Sequence, residues 1–154
     1  MRQLILVWLA VALSIGACAT TWQDEAPEPT LFELVCEKAY EEYKVTCSAL
    51  MPPIVVTTRL LDGIPARGGH LGGEPYVFVH PEAASDDDGS TLESVEYHET
   101  VHYVLSNLGL RESRCQSEAV ARAWTAEQFG VPESLFWRFL YGCDDSGFRI
   151  FFKR

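Results

Sequence analysis

The sequence predicts a small α+β domain, and three observations carry that prediction. Apolar residues recur first at helical spacing, then gather in two short β-branched or aromatic runs, then return to helical spacing. Glycine and proline punctuate the changes of period, and Ser-x-x-Glu or Ser-x-x-Gln patterns open the later helical stretches. The predicted order is one helix, two strands and three helices. Leu31 to Glu42 is the first helix, with Leu31, Leu34, Val35 and Ala39 along one side. Ile54 to Leu61 is β-branched and bounded by Pro53 and Asp62-Gly63, which predicts a strand. Ala66 to Gly73 carries four glycines and reads as a loop. Pro75 to His80 is the second strand, stopped by Pro81. Glu82 to Gly89 is a solvated loop, and its three consecutive aspartates lack the ligand spacing of a calcium loop. Ser90 with Glu93 forms a capping box for a helix from Thr91, along which Leu92, Val95, Val101, Leu105 and Leu108 recur until Gly109 closes it. Ser113 with Gln116 opens the next helix, which ends at Phe129 with Gly130 as its cap. Pro132 then starts a helix over Glu133 to Tyr141, and Phe148 to Phe152 is a short terminal strand.

The chain divides into residues 1–17, 18–30 and 31–154. Arg2 precedes an apolar run, Leu4 to Ile15, too short to span a bilayer but suited to a secretory signal. The run ends in Ile15-Gly16-Ala17-Cys18, which looks like a bacterial lipobox. Cys18 is thus the expected lipidation site, at the N-terminus of the mature chain. Ala19 in the next position resembles lipoproteins sorted to an outer membrane, so the expected location is the cell envelope, on the periplasmic face of that membrane. Gln23 to Thr30 is acidic and proline-bearing, as an extended tether should be.

Formal charge is −10, from 22 acidic against 12 basic side chains. Such a surface argues against nucleic acid and against charge-driven binding to anionic lipid, leaving an acyl chain as the expected membrane anchor. Cys36, Cys47, Cys115 and Cys143 make an even set for an oxidising compartment, with three connectivities open. The favoured pairs are Cys36–Cys47 and Cys115–Cys143. In one straight helix Cys36 and Cys47 would stand about 16 Å apart, so the first pair requires the chain to turn before Val45.

The chemistry lies in His98-Glu99-Thr100-Val101-His102. Helical residues four apart share a face, so both imidazoles can address one metal ion while Glu99 reaches a water beside it. A catalytic zinc usually takes a third protein ligand and keeps one position open. A metzincin would need glycine and histidine where this chain has Leu105 and Leu108, which excludes that class. If the two long helices form a hairpin turning near Leu110, His102 lies eight residues before the turn and Glu118 eight after it. The two then sit at similar height on helices about 8–10 Å apart, a gap that an imidazole and a carboxylate close. Glu112 is too near the turn and Glu127 too far along. Ala121 would let the helices approach, and Arg122, level with His98, is placed to orient a carboxylate or a substrate carbonyl. The bland alternative for Glu118 is an exposed glutamate paired with Arg122 one turn on.

His98-Glu99-x-x-His102 followed by Glu118-x-x-Ala121 resembles the gluzincin group of zinc metallopeptidases, in particular their minimal forms. The resemblance spans Ile54 to Phe129 and rests on five motif residues. It implies a zincin-like domain with a short sheet on the active-site helix and a following glutamate helix. It further implies Zn²⁺ on His98, His102 and Glu118, Glu99 as general base, and hydrolysis of a peptide or protein substrate. An edge strand that pairs with extended peptide is also implied, and Tyr76 to His80 matches it by position. His70, His80, Tyr103 and Tyr141 are the candidates for the donor that stabilises the oxyanion. The competing expectations are a non-catalytic, zinc-containing envelope lipoprotein or binding module, and the same chemistry on a non-peptide amide.

Overall fold

A computed structural model describes residues 27–57, 67–84, 89–110, 113–132 and Cys143. Helix α1 runs Leu31–Tyr43, and strands β1 Ile54–Thr57, β2 Gly68–His70 and β3 Tyr76–Val79 follow. Helices α2 Leu92–Asn107 and α3 Arg114–Phe129 complete the described elements. The fold is α+β: three helices and one mixed sheet. No helix among the described residues is long and apolar enough to cross a membrane.

Helix α1 starts where Thr30 accepts from the Glu33 amide and Glu33 returns a carboxylate to the Thr30 N–H, a capping box. Lys44 ends it in the left-handed region, at φ 57°, and its N–H bonds the Tyr40 carbonyl. This is the turn that the Cys36–Cys47 pairing demands, and the disulfide forms across it with Cα atoms 5.7 Å apart. The second expected disulfide, Cys115–Cys143, is present as well, with Cα atoms 5.8 Å apart.

The sheet corrects two expectations. Its order is β1-β3-β2, with β1 parallel and β2 antiparallel to β3. Gly68–His70, expected in a loop, is a strand that pairs with Val77–Val79. Glycine has no strand preference of its own, so here the packing decides. A Cβ on Gly68 would stand 2.8 Å from Glu99 Cγ, 2.9 Å from the Phe78 carbonyl oxygen and 3.0 Å from Val95 Cγ1. Only glycine lets the backbone lie that close to the helix beneath. The second correction is that Tyr76–Val79 is the central strand rather than an edge, because β2 occupies its outer side. Strand β1 begins at Ile54 as expected, and the predicted remainder, 58–61, lies outside the described residues.

Val77 and Val79 turn one sheet face onto α2, which also packs against α1 and α3. Val95, Val101, Val104 and Leu105 of α2 meet Val35 and Ala39 of α1 and Ala121 and Trp124 of α3 in one core. Helix α2 is therefore covered on several sides, and its buried surface is wider than the predicted apolar stripe; Tyr97 and Tyr103 are buried, whereas Leu92 is exposed. Its cap is one residue further on than expected. Thr91, not Ser90, accepts the amide of Ser94, and Ser94 rather than Glu93 returns the reciprocal bond. Gly109, at φ 67°, ends α2 in a Schellman turn: the Leu110 N–H bonds the Leu105 carbonyl at 2.9 Å and the Gly109 N–H bonds that of Ser106 at 3.3 Å. Helix α3 opens on Ser113, which accepts from the Gln116 amide, and closes on Gly130 at φ 66°. The predicted signal segment with Cys18 and the predicted tether as far as residue 26 lie outside the described residues. So do Glu112, the aspartates at 86–88, the helix predicted over 133–141 with Tyr141, and the terminal strand predicted over 148–152.

Candidate metal centre

Helix α2 presents His98 and His102 on one face, one turn apart, with their Nε2 atoms 3.2 Å from each other. The rings are nearly perpendicular, at 78°, with centroids 4.8 Å apart. Glu118 faces them from α3: Oε2 stands 3.0 Å from His102 Nε2, and Oε1 stands 3.6 Å from His98 Nε2. His98, His102 and Glu118 form the one group among the described residues whose ligand atoms could converge on a metal ion. The hairpin places Glu118 level with His102, as the count about Leu110 predicts. The rival expectation for Glu118 is half met: Arg122 does bond it one turn on, but Glu118 is only 6 % exposed.

That contact anchors the carboxylate. The Arg122 guanidinium donates to Glu118 Oε1 from Nε at 2.8 Å, and its Nη2 is also 2.8 Å from Oε1. Burial opposes ionisation of Glu118, but hydrogen bonds from His102 and His98 and the charges of both rings outweigh it. Its carboxyl is held well below the usual carboxylate range. The metal-free site thus favours Glu118 as an anion.

Glu99 differs. It is 8 % exposed, wedged between α2 and the Gly68 backbone, and it has no comparable set of donors. Burial pushes its carboxyl up to about 7, against a lowering by the His102 charge; Glu118 adds to the rise and Arg122 subtracts from it. Two carboxylates near one site are thus driven apart, one fixed as an anion and one poised to exchange a proton near neutrality.

One functional contact escaped the sequence reading. Ser117 Oγ lies 2.7 Å from His102 Nδ1. A signal existed: the residue before Glu118 lies about 100° round α3, still on the side that meets α2. Each of the expected oxyanion donors among the described residues makes a contact of its own. The Tyr103 hydroxyl donates to the Met51 carbonyl at 2.8 Å, and His70 Nδ1 sits 3.1 Å from the Tyr76 carbonyl with its ring edge-on to Tyr103. His80 Nδ1 accepts from the Glu82 amide at 3.1 Å. Tyr141, the fourth candidate, lies outside the described residues. In comparison with known proteins, no family model matches this chain, and neither a curated protein nor a solved structure is similar to it.

Proposed function

We propose that this chain is a zinc metallopeptidase of the bacterial cell envelope. The observation that carries the reading is the triangle of ligand atoms with a buried, high-pKa glutamate beside it. In a tetrahedron with bonds of about 2.0–2.1 Å, neighbouring ligand atoms stand about 3.3 Å apart. The three edges here are 3.2, 3.0 and 3.6 Å, the last two drawn to different oxygens of Glu118. Two imidazoles and a carboxylate are also the donor set that suits Zn²⁺ and leaves a position open. His98, His102 and Glu118 would hold the ion, which when bound polarises a carbonyl and acidifies water.

The chain's own residues do the rest. Glu99 takes the proton of the attacking water and delivers it to the leaving amine nitrogen, the role of a buried carboxylate beside the ligands. Arg122 keeps Glu118 from turning away, so that the ligand geometry is set before substrate arrives. Strand β2 borders the site at Gly68, and as one of the two edge strands of the described sheet it is the proposed support for an extended peptide. The proposed setting is oxidising, supported by two disulfides, with attachment to the membrane through lipid on Cys18. The deciding experiment is turnover of a quenched peptide library, abolished by a chelator and by Glu99→Gln. A zinc-loaded chain that cleaves no peptide or protein would refute the peptidase reading.

A further inference from the structure

We infer that Ser117 is a positioning residue for the metal centre, fixing which nitrogen of His102 faces the ion. This rests on the metal-binding part of the proposed function and deepens it. Buried helical hydroxyls ordinarily bond back to their own helix. Ser94, Thr100 and Thr125 do so, donating to the carbonyls of Thr91, Glu96 and Ala121. Ser117 is as buried as these, at 4 % exposure, yet its hydroxyl reaches across to α2 and meets His102 Nδ1 at 2.7 Å.

The chemistry gives that contact a purpose. A neutral imidazole carries one proton, and the nitrogen that bears it cannot be a ligand. With the ion bound between them, His102 Nε2, which faces Glu118 and His98, must supply the lone pair, and the proton must then reside on Nδ1. Ser117 Oγ is placed to accept that N–H, which holds the ring plane with Nε2 towards the ion. Because Ser117 and Glu118 are consecutive on α3, one helix turn sets the third ligand and the orientation of the second together. Rotating or sliding α3 would disturb both at once.

The test uses the full chain with zinc itself as ligand. Zinc affinity is measured by competition with a chromophoric chelator for the parent, Ser117→Ala and Ser117→Thr, alongside nitrogen-15 spectra of the histidine rings. The zinc-loaded parent should show His102 bound through Nε2, with an Nδ1–H resonance protected from solvent exchange. Ser117→Ala should lose about 10–100-fold in zinc affinity, the range for removing an outer hydrogen-bond partner of a ligand. It should also lose the protection of that resonance, whereas Ser117→Thr, which keeps the hydroxyl, should recover most of both. Equal affinity and equal protection in Ser117→Ala would overturn the assignment. So would a parent spectrum with His102 bound through Nδ1 or with a freely exchanging Nδ1–H, a result that does not depend on any variant folding. A parent that takes up no zinc would overturn this inference and the metal centre together. A parent that binds zinc with the expected ring signature but cleaves nothing would remove the peptidase reading alone.

Discussion

Gly68→Ala adds one methyl group where strand β2 lies against helix α2. Its Cβ would meet Glu99 Cγ at 2.8 Å, the Phe78 carbonyl oxygen at 2.9 Å and Val95 Cγ1 at 3.0 Å. Comfortable carbon contacts begin near 3.5 Å, so roughly 0.5 Å of relief is needed on three sides at once. Neither the Phe78 oxygen nor Glu99 Cγ is the far end of a flexible chain. The oxygen belongs to the central strand, and Cγ is held between helix and sheet. Strand and helix must therefore part, at a cost of about 1–3 kcal/mol, the usual range for overpacking a filled core. Function should suffer beyond stability, because an ångström of misplacement of a catalytic group can cost ~10²-fold in rate. Gly69→Ala is the internal control: its Cβ would have nothing within 4 Å, and neither position has a backbone angle that only glycine tolerates. Urea denaturation, zinc titration and peptide turnover should be run on both variants. The expected result is a Gly68→Ala protein that is destabilised by that amount and at least ~10-fold slower, with zinc retained, beside a Gly69→Ala protein close to the parent. Equal behaviour of the two alanine variants would refute the steric argument.

Glu99→Gln should keep zinc, as measured by metal analysis, and lose at least ~10²-fold in peptide hydrolysis, since the amide cannot take a proton. In the metal-stripped chain, a carboxyl raised from its ordinary 4.5 to about 7 favours the protonated folded state, so stability should fall as pH rises between those values, by about 3 kcal/mol. Urea midpoints from pH 5 to 8 should show Glu99→Gln gaining on the parent as pH increases; the lowered Glu118 carboxyl would act only below about 4.5, outside that window. Removing Cys115–Cys143, which closes a loop with sequence separation 28, should cost about 3.6 kcal/mol by denaturation of the Cys115→Ser, Cys143→Ser protein. Cys18→Ser should move the chain out of membrane fractions and abolish fatty-acid labelling, which would be visible by fractionation with a lipid probe.

What could be read from the chain was what is local or reducible to counting. Helix α1 followed from its apolar spacing, and the need for a turn before Val45 followed from the reach of a disulfide. The level placement of His102 and Glu118 followed from equal distances to a turn, because helix rise is constant. Strand β2 could not be read in this way. Gly68 and Gly69 carry no side chain to announce a strand, and what holds them there is β3 on one side and the lack of room above Glu99. The central position of Tyr76–Val79 was hidden for the same reason, since strand order is set between segments rather than within them. The shift of the α2 cap from Ser90 to Thr91 reflects two adjacent hydroxyl residues, each able to cap; Ser94 at the reciprocal position decides for Thr91. Ser117 looked like any helical serine until α3 was docked against α2.

The Schellman turn at Gly109 makes the link between α2 and α3 a ruler. From the Leu110 amide bonded to Leu105 to the Ser113 cap, few residues separate one helix from the next. A single residue added there and taken up by the start of α3 would carry every later position of the helix about 1.5 Å along its axis and about 100° round it. Glu118 would leave the metal triangle, Ser117 would lose His102, and Ala121 would no longer face the core. Loop length at most surfaces drifts freely, because closing a slightly longer loop costs little. At this corner length is itself a functional variable, so a chain sharing this site should conserve the number of residues between His102 and Glu118 more strictly than their identities.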